Sequence, residues 1–325
     1  MNRITRRALT VALLAMGAST GALAQGKFPE SPLRLVVPFA PGGGVDSAAR
    51  LIARQLGTNL NVSVIVENKP GANGTVGGKF VQTAAADGQT LLFSASTQAL
   101  TRQVMATPPY DPLTDFAAVA RVGDAPLLMV ISPNLPQNRL NEVITAAKQN
   151  PDKWTAALPA LGAASHLGTL MFAKQGGLTN LTTAVYKGTA PALTDVAGGH
   201  VQIQIDAIVA LQSMAKSGKV KPIMVTSAKR SSVMPNVPTA VESGYPKFVT
   251  ESWYGVWAPK ATPADRVQFL NKAFNDAVSQ LAKAGAFEPL GIEPVVESVE
   301  DFRKYMAAYI TESADLLKGA GFKPE

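Results

Sequence analysis

The sequence predicts an α/β fold of two domains with a ligand cleft between them. Three observations carry this reading. Strand, small-residue loop and helix alternate along the chain, the pattern of a parallel or mixed sheet covered by helices. A proline-rich stretch, Arg230 to Pro238, is followed by renewed strand and helix, so the chain returns to the domain in which it began. The 325 residues are 46% hydrophobic and 16% charged, enough to bury a sizeable core, and that length suits roughly two domains of ~100–200 residues. The expected boundaries are residues 25–125 plus 227–325 for the first domain and 126–226 for the second.

Residues 1–24 stand apart. Arg3, Arg6 and Arg7 make a basic start, Ala8 to Met16 a short apolar core, and Ala22-Leu23-Ala24 an A-x-A cleavage signal. The apolar run is too short to span a bilayer comfortably. A cleaved export signal is expected, with the mature protein starting near Gln25 in the periplasm; the other reading is a buried N-terminal helix. Arg6-Arg7 admits the twin-arginine route beside the general one. Cleavage removes three arginines and no acid, taking the formal charge from +7 to +4. The remaining basic residues are scattered and not interleaved with aromatics, which argues against a nucleic-acid partner. The chain has no cysteine, so disulfides, thiol nucleophiles and Cys-ligated metals are excluded. Export without disulfides is compatible with a bacterial periplasm.

The first unit of the mature chain organises the rest. Leu35-Val36-Val37 reads as a buried strand ended by Pro38-Phe39-Ala40-Pro41, and Gly42-Gly43-Gly44 turns the backbone. Val45, Ala48, Ala49, Ile52, Ala53 and Leu56 then recur at helical spacing. Free N–H groups and the positive end of the helix dipole point into the glycine loop, which suits an anion. Asp46 lies in the first turn, where a carboxylate can cap. A tight turn without ligand fits the same residues.

A second unit follows at once: strand Val62 to Val66, loop Asn68 to Gly74, helix Thr75 to Ala85. Strand Thr90 to Ser94 ends in Ser94, Ser96, Thr97 and Gln98, small polar groups at a strand end where open α/β folds bind ligands. Phe116 to Val122 and Leu127 to Ile131 are two strands separated by Gly123-Asp124-Ala125-Pro126, and the first interdomain crossing falls there. Helix Leu140 to Gln149 stops before Pro151.

The middle third repeats strand, loop and helix. Trp154 to Ala157 leads through Leu158 to Ala164, with Gly162 inside, to Ser165-His166 at a helix start. Thr182 to Tyr186 leads through Lys187-Gly188-Thr189 into a helix to Ala197. Val201 to Ile205 is followed by Asp206 opening another helix, and Val220 to Val225 is the last strand of this domain. Trp253 to Pro259 is the returning strand. Pro263 at a first helical position starts a helix with Val267, Leu270, Ala273, Phe274, Ala277 and Leu281 on one face. One or two more helices over Ser298 to Leu317 close the chain.

Catalytic and metal motifs are missing from the sequence. Two histidines, His166 and His200, and no clustered acids leave no metal site. No G-x-S-x-G is present, and adjacent Ser165-His166 do not face each other as a nucleophile and base would. Gly42-Gly43-Gly44 is not a dinucleotide fingerprint, and Lys187-Gly188-Thr189 lacks the glycine of a Walker A loop. His200 reads as a surface turn; His166 is open between helix-start hydrogen bonding and ligand contact. Trp253, Tyr254 and Trp257 read as domain core rather than a ligand box. What remains is a set of loops offering Gly, Ser, Thr and backbone N–H groups from both halves, donors suited to binding and releasing a carboxylate.

The segments RLVVPFAPGGGVDSAAR (34–50), VENKPGANGTVGG (66–78), DGQTLLF (87–93), YDPLTDFAAVA (110–120), SHLGTLMF (165–172), YKGTAPALTDVAGGHV (186–201), VTSAKRSSVMPNVPTAVESGYP (225–246) and SWYGVWAPKATP (252–263) resemble, in number and order, the periplasmic solute-binding receptors of tripartite tricarboxylate transporters, the Bug receptors. The resemblance covers essentially the whole mature chain. It implies a type II periplasmic binding-protein fold that closes on a small carboxylate: a dicarboxylate, amino acid, or nicotinate-like or aromatic acid. It also implies no cofactor, a monomer, and large and small membrane subunits as partners. By position it points to Phe39, Ala40, Gly43 and Asp46, to Ser96 and Thr97, to Gly162, Ser165 and His166, to Lys187, Gly188 and Thr189, and to Asp206 as ligand-binding residues. Three positions depart from the family pattern. Leu158-Pro159-Ala160-Leu161-Gly162 replaces a loop richer in polar residues, Gln98 stands where histidine is common, and Asp206-Ala207 stands for Asp-Asn. Each removes a polar group and points to a less polar ligand. A binding receptor for transport is the first functional expectation, a sensory receptor presenting its closed form to a signalling protein the second, and a secreted enzyme the third and weakest.

Overall fold

The computed structural model describes residues 28–324, and the expected export signal lies outside them. The first strands and helices are β1 (Leu33–Val37), α1 (Gly44–Leu60), β2 (Val64–Asn68), α2 (Thr75–Gln82), β3 (Thr90–Ala95), the short α3 (Thr101–Val104) and β4 (Phe116–Ile131). Next come α4 (Leu140–Gln149), β5 (Thr155–Leu158), α5 (Ala164–Gly176), β6 (Thr182–Val185), α6 (Thr189–Gly198), β7 (Ile203–Ala207), α7 (Ile208–Lys216) and β8 (Lys221–Val225). β9 (Glu251–Pro259), α8 (Ala264–Lys283), β10 (Glu293–Pro294) and a single closing helix, α9 (Val299–Gly319), complete the chain.

The strands pair in the order β2-β1-β3-β9-β4-β7-β5-β6, with β10 and β8 also on β4. β1 runs parallel to β2 and β3, and β5 parallel to β6 and β7, as the alternating units require. The strands beside β4 are antiparallel to it, so the sheet is mixed. The helix faces read from sequence are buried: Ala48, Ala49, Ile52, Ala53 and Leu56 on α1, and Val267, Leu270, Ala273, Phe274, Ala277 and Leu281 on α8. All of these except Val267 and Ala277 meet Leu35, Phe93, Val122 and Val256 in one core. Two further cores lie on the other part of the sheet, one around Met129, Phe172 and Ile205 and one around Val130, Val196 and Ile208.

One expectation fails at the crossing. Gly123-Asp124-Ala125-Pro126 is not a loop between two strands. β4 runs unbroken for 16 residues. Its Phe116–Pro126 portion pairs with β9 and its Leu127–Ile131 portion with β7, so the pairing partner changes between Pro126 and Leu127. β10 pairs with Gly123 and Asp124 on the opposite edge. Flanked on both sides, a turn-like tetrapeptide stays extended, because pairing and packing override weak local preference. Two register shifts, at Ala118/Ala120 and Arg121/Gly123, absorb the misfit as bulges do.

Thr226 stitches the two crossing segments together. It is fully buried; its N–H donates to the Leu127 carbonyl, its Oγ1 accepts from the Leu127 N–H at 2.9 Å, and its hydroxyl donates to the Thr250 carbonyl. The chain from Thr226 to Thr250, with the proline-rich stretch inside it, packs Met234, Val237, Ala240 and Phe248 onto the cores of β5–β8. The chain thus stays with that half until β9 begins at Glu251.

Candidate functional site

The glycine loop sets one wall of a cavity between the halves. Of its three glycines only Gly42 takes a left-handed φ, +86°. Gly43 is the N-cap of α1 in extended conformation and offers no side-chain cap. Gly44 is glycine for room: a Cβ there would stand 2.7 Å from Val209 Cγ1 of the other half and 2.9 Å from the Tyr254 hydroxyl. Two more helix starts reach the same space from the second half. α5 begins after Ala163 and α6 after Gly188, and neither has a side-chain cap. The first N–H groups of a helix have no intrahelical partner, so three sets of donors and three positive dipole ends converge.

The cavity between them measures about 110 Å³. The first half contributes Phe39, Gly43, Gly44, Val45, Ala95, Thr97, Ser252 and Tyr254. The second contributes Pro159, Ala160, Ala163, Ala164, Ser165, Gly188, Thr189, Asp206, Ala207 and Ala210. No lysine, arginine or histidine is among these lining residues. Two buried hydroxyls from opposite halves, Ser165 Oγ and Tyr254 Oη, make no hydrogen bond within the described residues. Such a group, left unmatched, costs about 1–3 kcal/mol, and both line this cavity. Other hollows, one lined by Lys148, Trp154 and Leu181 and one by Pro136, Asn141 and Gln149, lie within the second half alone.

Asp206 is the one carboxylate on the wall. It lies in β7, one residue before the strand ends at Ala207, rather than opening a helix. Its Oδ2 accepts from Thr189 Oγ1 at 2.6 Å and its Oδ1 from the Ala207 N–H at 2.8 Å, tying two helix starts together. Burial raises its pKa despite those hydrogen bonds. Tyr254 is also raised, by burial first and then by the negative charge of Asp206, so it stays a neutral donor.

Seven of the residues expected from sequence line the cavity: Phe39, Gly43, Thr97, Ser165, Gly188, Thr189 and Asp206. Six lie elsewhere. Ala40 and Lys187 are exposed beside the loops that do reach it. Asp46 is only 4% exposed and has both oxygens engaged: Oδ2 accepts from the Gly42 N–H and Arg50 Nε, each at 2.9 Å, and Oδ1 from Asn68 Nδ2 at 2.9 Å. Burial pushes its carboxyl up, but the hydrogen bonds from Arg50, Gly42 and Asn68 outweigh that and hold it below the ordinary value. It shapes the glycine loop from behind. Ser96 is buried one residue before the lining Thr97. Gly162 and His166 hold each other: the Gly162 N–H donates to His166 Nδ1 at 3.2 Å. Burial pushes the imidazole down to about 4, so it stays neutral, and its ring lies edge-on to Phe322. For His166 the helix-start reading is the one the geometry shows.

Tyr254 and Ser252 were not foreseen as lining residues. Side chains alternate along β9. Trp253 and Trp257 share one face and pack against Phe302 of α9, while Tyr254 takes the other. The period of two was the available signal.

The chain matches the model of the family described as "Tripartite tricarboxylate transporter family receptor" (TctC) over residues 48–322. Protein BugT of Bordetella pertussis is 36% identical over 298 residues, covering 91% of each chain. The structure of the periplasmic binding protein BugD aligns with a TM-score of 0.85 at 35% identity, over 92% of this chain and 100% of BugD. Rpa4515 of R. palustris, solved with adipate, aligns with a TM-score of 0.87 at 33% identity, again over 92% and 100%. The α/β periplasmic binding-protein fold expected from sequence is the fold of these relatives.

Proposed function

The chain belongs to the tripartite tricarboxylate transporter receptor family, and from that premise we propose that it captures a small organic carboxylate between its halves and delivers it to the large and small membrane subunits of such a transporter. The family is one of substrate-binding receptors, not enzymes, and it is periplasmic. The observation that carries the reading is the convergence of three uncapped helix starts on one cavity with two unmatched buried hydroxyls. Oriented N–H dipoles and neutral hydroxyls stabilise an anion without an ion pair. The relative Rpa4515 holds adipate, also a carboxylate.

In this reading the carboxylate sits against the N–H groups of Gly44 and Val45, with Ser165, Thr189 and Tyr254 as further donors. The body of the ligand lies along Pro159, Ala160, Ala163 and Ala207. An apolar body fits there better than a citrate-like polyanion, since charges on that wall lose water without gaining partners. The hinge is the pair of crossing segments at Pro126–Leu127 and Thr226–Glu251. The first domain then comprises residues 25–125 with the chain from 251 onward, and 227–250 travel with the second. The receptor acts as a monomer with a mature start near Gln25, which N-terminal sequencing of the periplasmic fraction checks.

The decisive experiment has two parts. Mass spectrometry of the small molecule released on denaturing the purified protein identifies the ligand directly. A melting series then compares monocarboxylates, aromatic acids, dicarboxylates, citrate, amides and sugars. A ligand at ~100 times its dissociation constant adds about 2.7 kcal/mol, a readable rise in Tm. A sugar that raises Tm where every carboxylate fails overturns the carboxylate reading. Citrate above all monoacids overturns the apolar-body reading alone.

A further inference from the structure

The loop between β5 and α5 has two jobs. Pro159 and Ala160 face the cavity, while the Leu161 carbonyl, between them and Gly162, faces the first half. There it accepts a hydrogen bond from Asn73 Nδ2 at 2.5 Å. Asn73 follows β2, the edge strand of the first half, three places in pairing order from β9 and four from β4, the strands of the crossing segments. An opening rotation about those segments displaces a contact in proportion to its distance from them.

The turn that presents Asn73 is costly and firmly held. Ala72 and Asn73 are successive non-glycine residues in left-handed conformation, φ +43° and +56°, a region that side-chain-bearing residues rarely enter. Such backbone persists where the surroundings over-determine it. Here the Gly74 and Val76 N–H groups both donate to the Gly71 carbonyl, and Thr75 Oγ1 donates to the Ala72 carbonyl at 2.7 Å. All of these bonds lie within the first half, so the turn is set before the halves meet. The receiving loop is equally constrained. A Cβ on Gly162 would stand 2.7 Å from Val104 Cγ1 of the first half, and the Gly162 N–H is fixed by His166, whose ring rests on Phe322 beyond α9.

We propose that Asn73 is the latch of the closed cleft, a positioning residue that sets the open–closed balance by holding the Leu161 carbonyl without touching the ligand. The inference rests on the reading of the cavity as a cleft that closes. Because the same loop carries Pro159 and Ala160, a ligand body pressed against it and the latch reinforce each other.

Two substitutions separate the amide from the backbone. Asn73→Gly keeps the left-handed turn and removes the donor. Asn73→Asp keeps the side-chain shape and the tolerance for left-handed φ but sets a carboxylate against a carbonyl. The chain has no cysteine, so Arg54→Cys on α1 and Thr194→Cys on α6 place one spin label on each half. The readout is the label–label distance distribution of the full ligand-free chain, with circular dichroism verifying the fold. Loss of one hydrogen bond is expected to lower the ratio of short-distance to long-distance populations about two- to tenfold in Asn73→Gly, and further in Asn73→Asp. Distributions that match the parent in both variants, or in Asn73→Asp alone if Asn73→Gly does not fold, overturn the latch. No ligand enters this measurement, so a negative melting series and a negative latch are independent outcomes.

Discussion

Gly44 and Tyr254 meet at the junction of the two halves: a methyl group added to Gly44 would lie 2.9 Å from the tyrosine hydroxyl and 2.7 Å from a methyl of Val209 across the cleft. Gly44→Ala therefore acts as a wedge. Relieving contacts this short costs about 1–3 kcal/mol in a packed site; the Val209 contact crosses the cleft, so its share is borne by the closed arrangement, while the Tyr254 contact lies within the first half. The expected outcome is loss of the ligand-induced rise in Tm with a ligand-free Tm near that of the parent. An undiminished rise shows that the halves need not approach at Gly44.

Tyr254→Phe removes a buried hydroxyl that has no partner among the described residues. Deleting an unmatched polar group is near neutral or stabilising, whereas a hydrogen bond to a charged ligand is worth about 1.5–3 kcal/mol. The variant should melt no lower than the parent without ligand and bind its carboxylate at least ~10-fold more weakly by titration calorimetry. Unchanged affinity removes Tyr254 from the binding set.

Asp46→Ala tests the opposite role. The carboxylate holds Gly42, Arg50 and Asn68 and does not line the cavity. These partners are exposed or half-buried and can turn to water, so the loss is the net worth of the hydrogen bonds, about 0.5–1.5 kcal/mol each, and Tm should fall in the free protein. The ligand-induced rise should be largely retained. A normal Tm with abolished binding would return Asp46 to the ligand.

The crossing segments predict a pH dependence. Burial, with Glu297 and Glu293 nearby, outweighs Arg121 and pushes Asp124 up to about 6. Burial, with Asp124 and Glu293, likewise pushes Glu251 up to about 7 against the opposing charge of Arg121. The folded state therefore holds more protons than the unfolded chain between pH ~4 and ~7, and stability contributed by these groups falls as pH rises through that window. Asp206, raised by burial, adds to this fall; His166, pushed down to about 4, opposes it up to its ordinary value of 6.5, and Asp46 and Asp111, held below their ordinary values, act with the opposite sign at lower pH. Urea unfolding of the parent from pH 5 to 8 should show the decline, and the pair Asp124→Asn and Glu251→Gln should flatten it. An unflattened slope places the titrating groups elsewhere.

Features that depend on neighbours within a turn or two are legible in the residues alone. The apolar faces of α1 and α8 were legible because helical spacing fixes which side chains share a face. The glycine loop was legible because a strand ending in prolines and glycines and followed by that spacing has one local solution. The parallel ladders followed from alternation alone. Distant partners decided the rest. Gly123-Asp124-Ala125-Pro126 has the letters of a turn and became the middle of β4 because β9 and β10 pair with it from both edges. Asp46 and Asp206 are both acids beside small-residue loops. Arg50 is a local partner of the first, one helical turn on, but only the placement of Asn68 behind it, and of Thr189 beside the second, makes one a brace and the other a cavity wall. Trp253 and Tyr254 are adjacent aromatics, and only the two layers packed on β9 send them into different cores, Tyr254 into the one whose edge opens on the site. Local propensity is worth tenths of a kilocalorie per residue, while a buried contact or an unmatched buried group is worth several times more, so tertiary structure decided wherever the two disagreed.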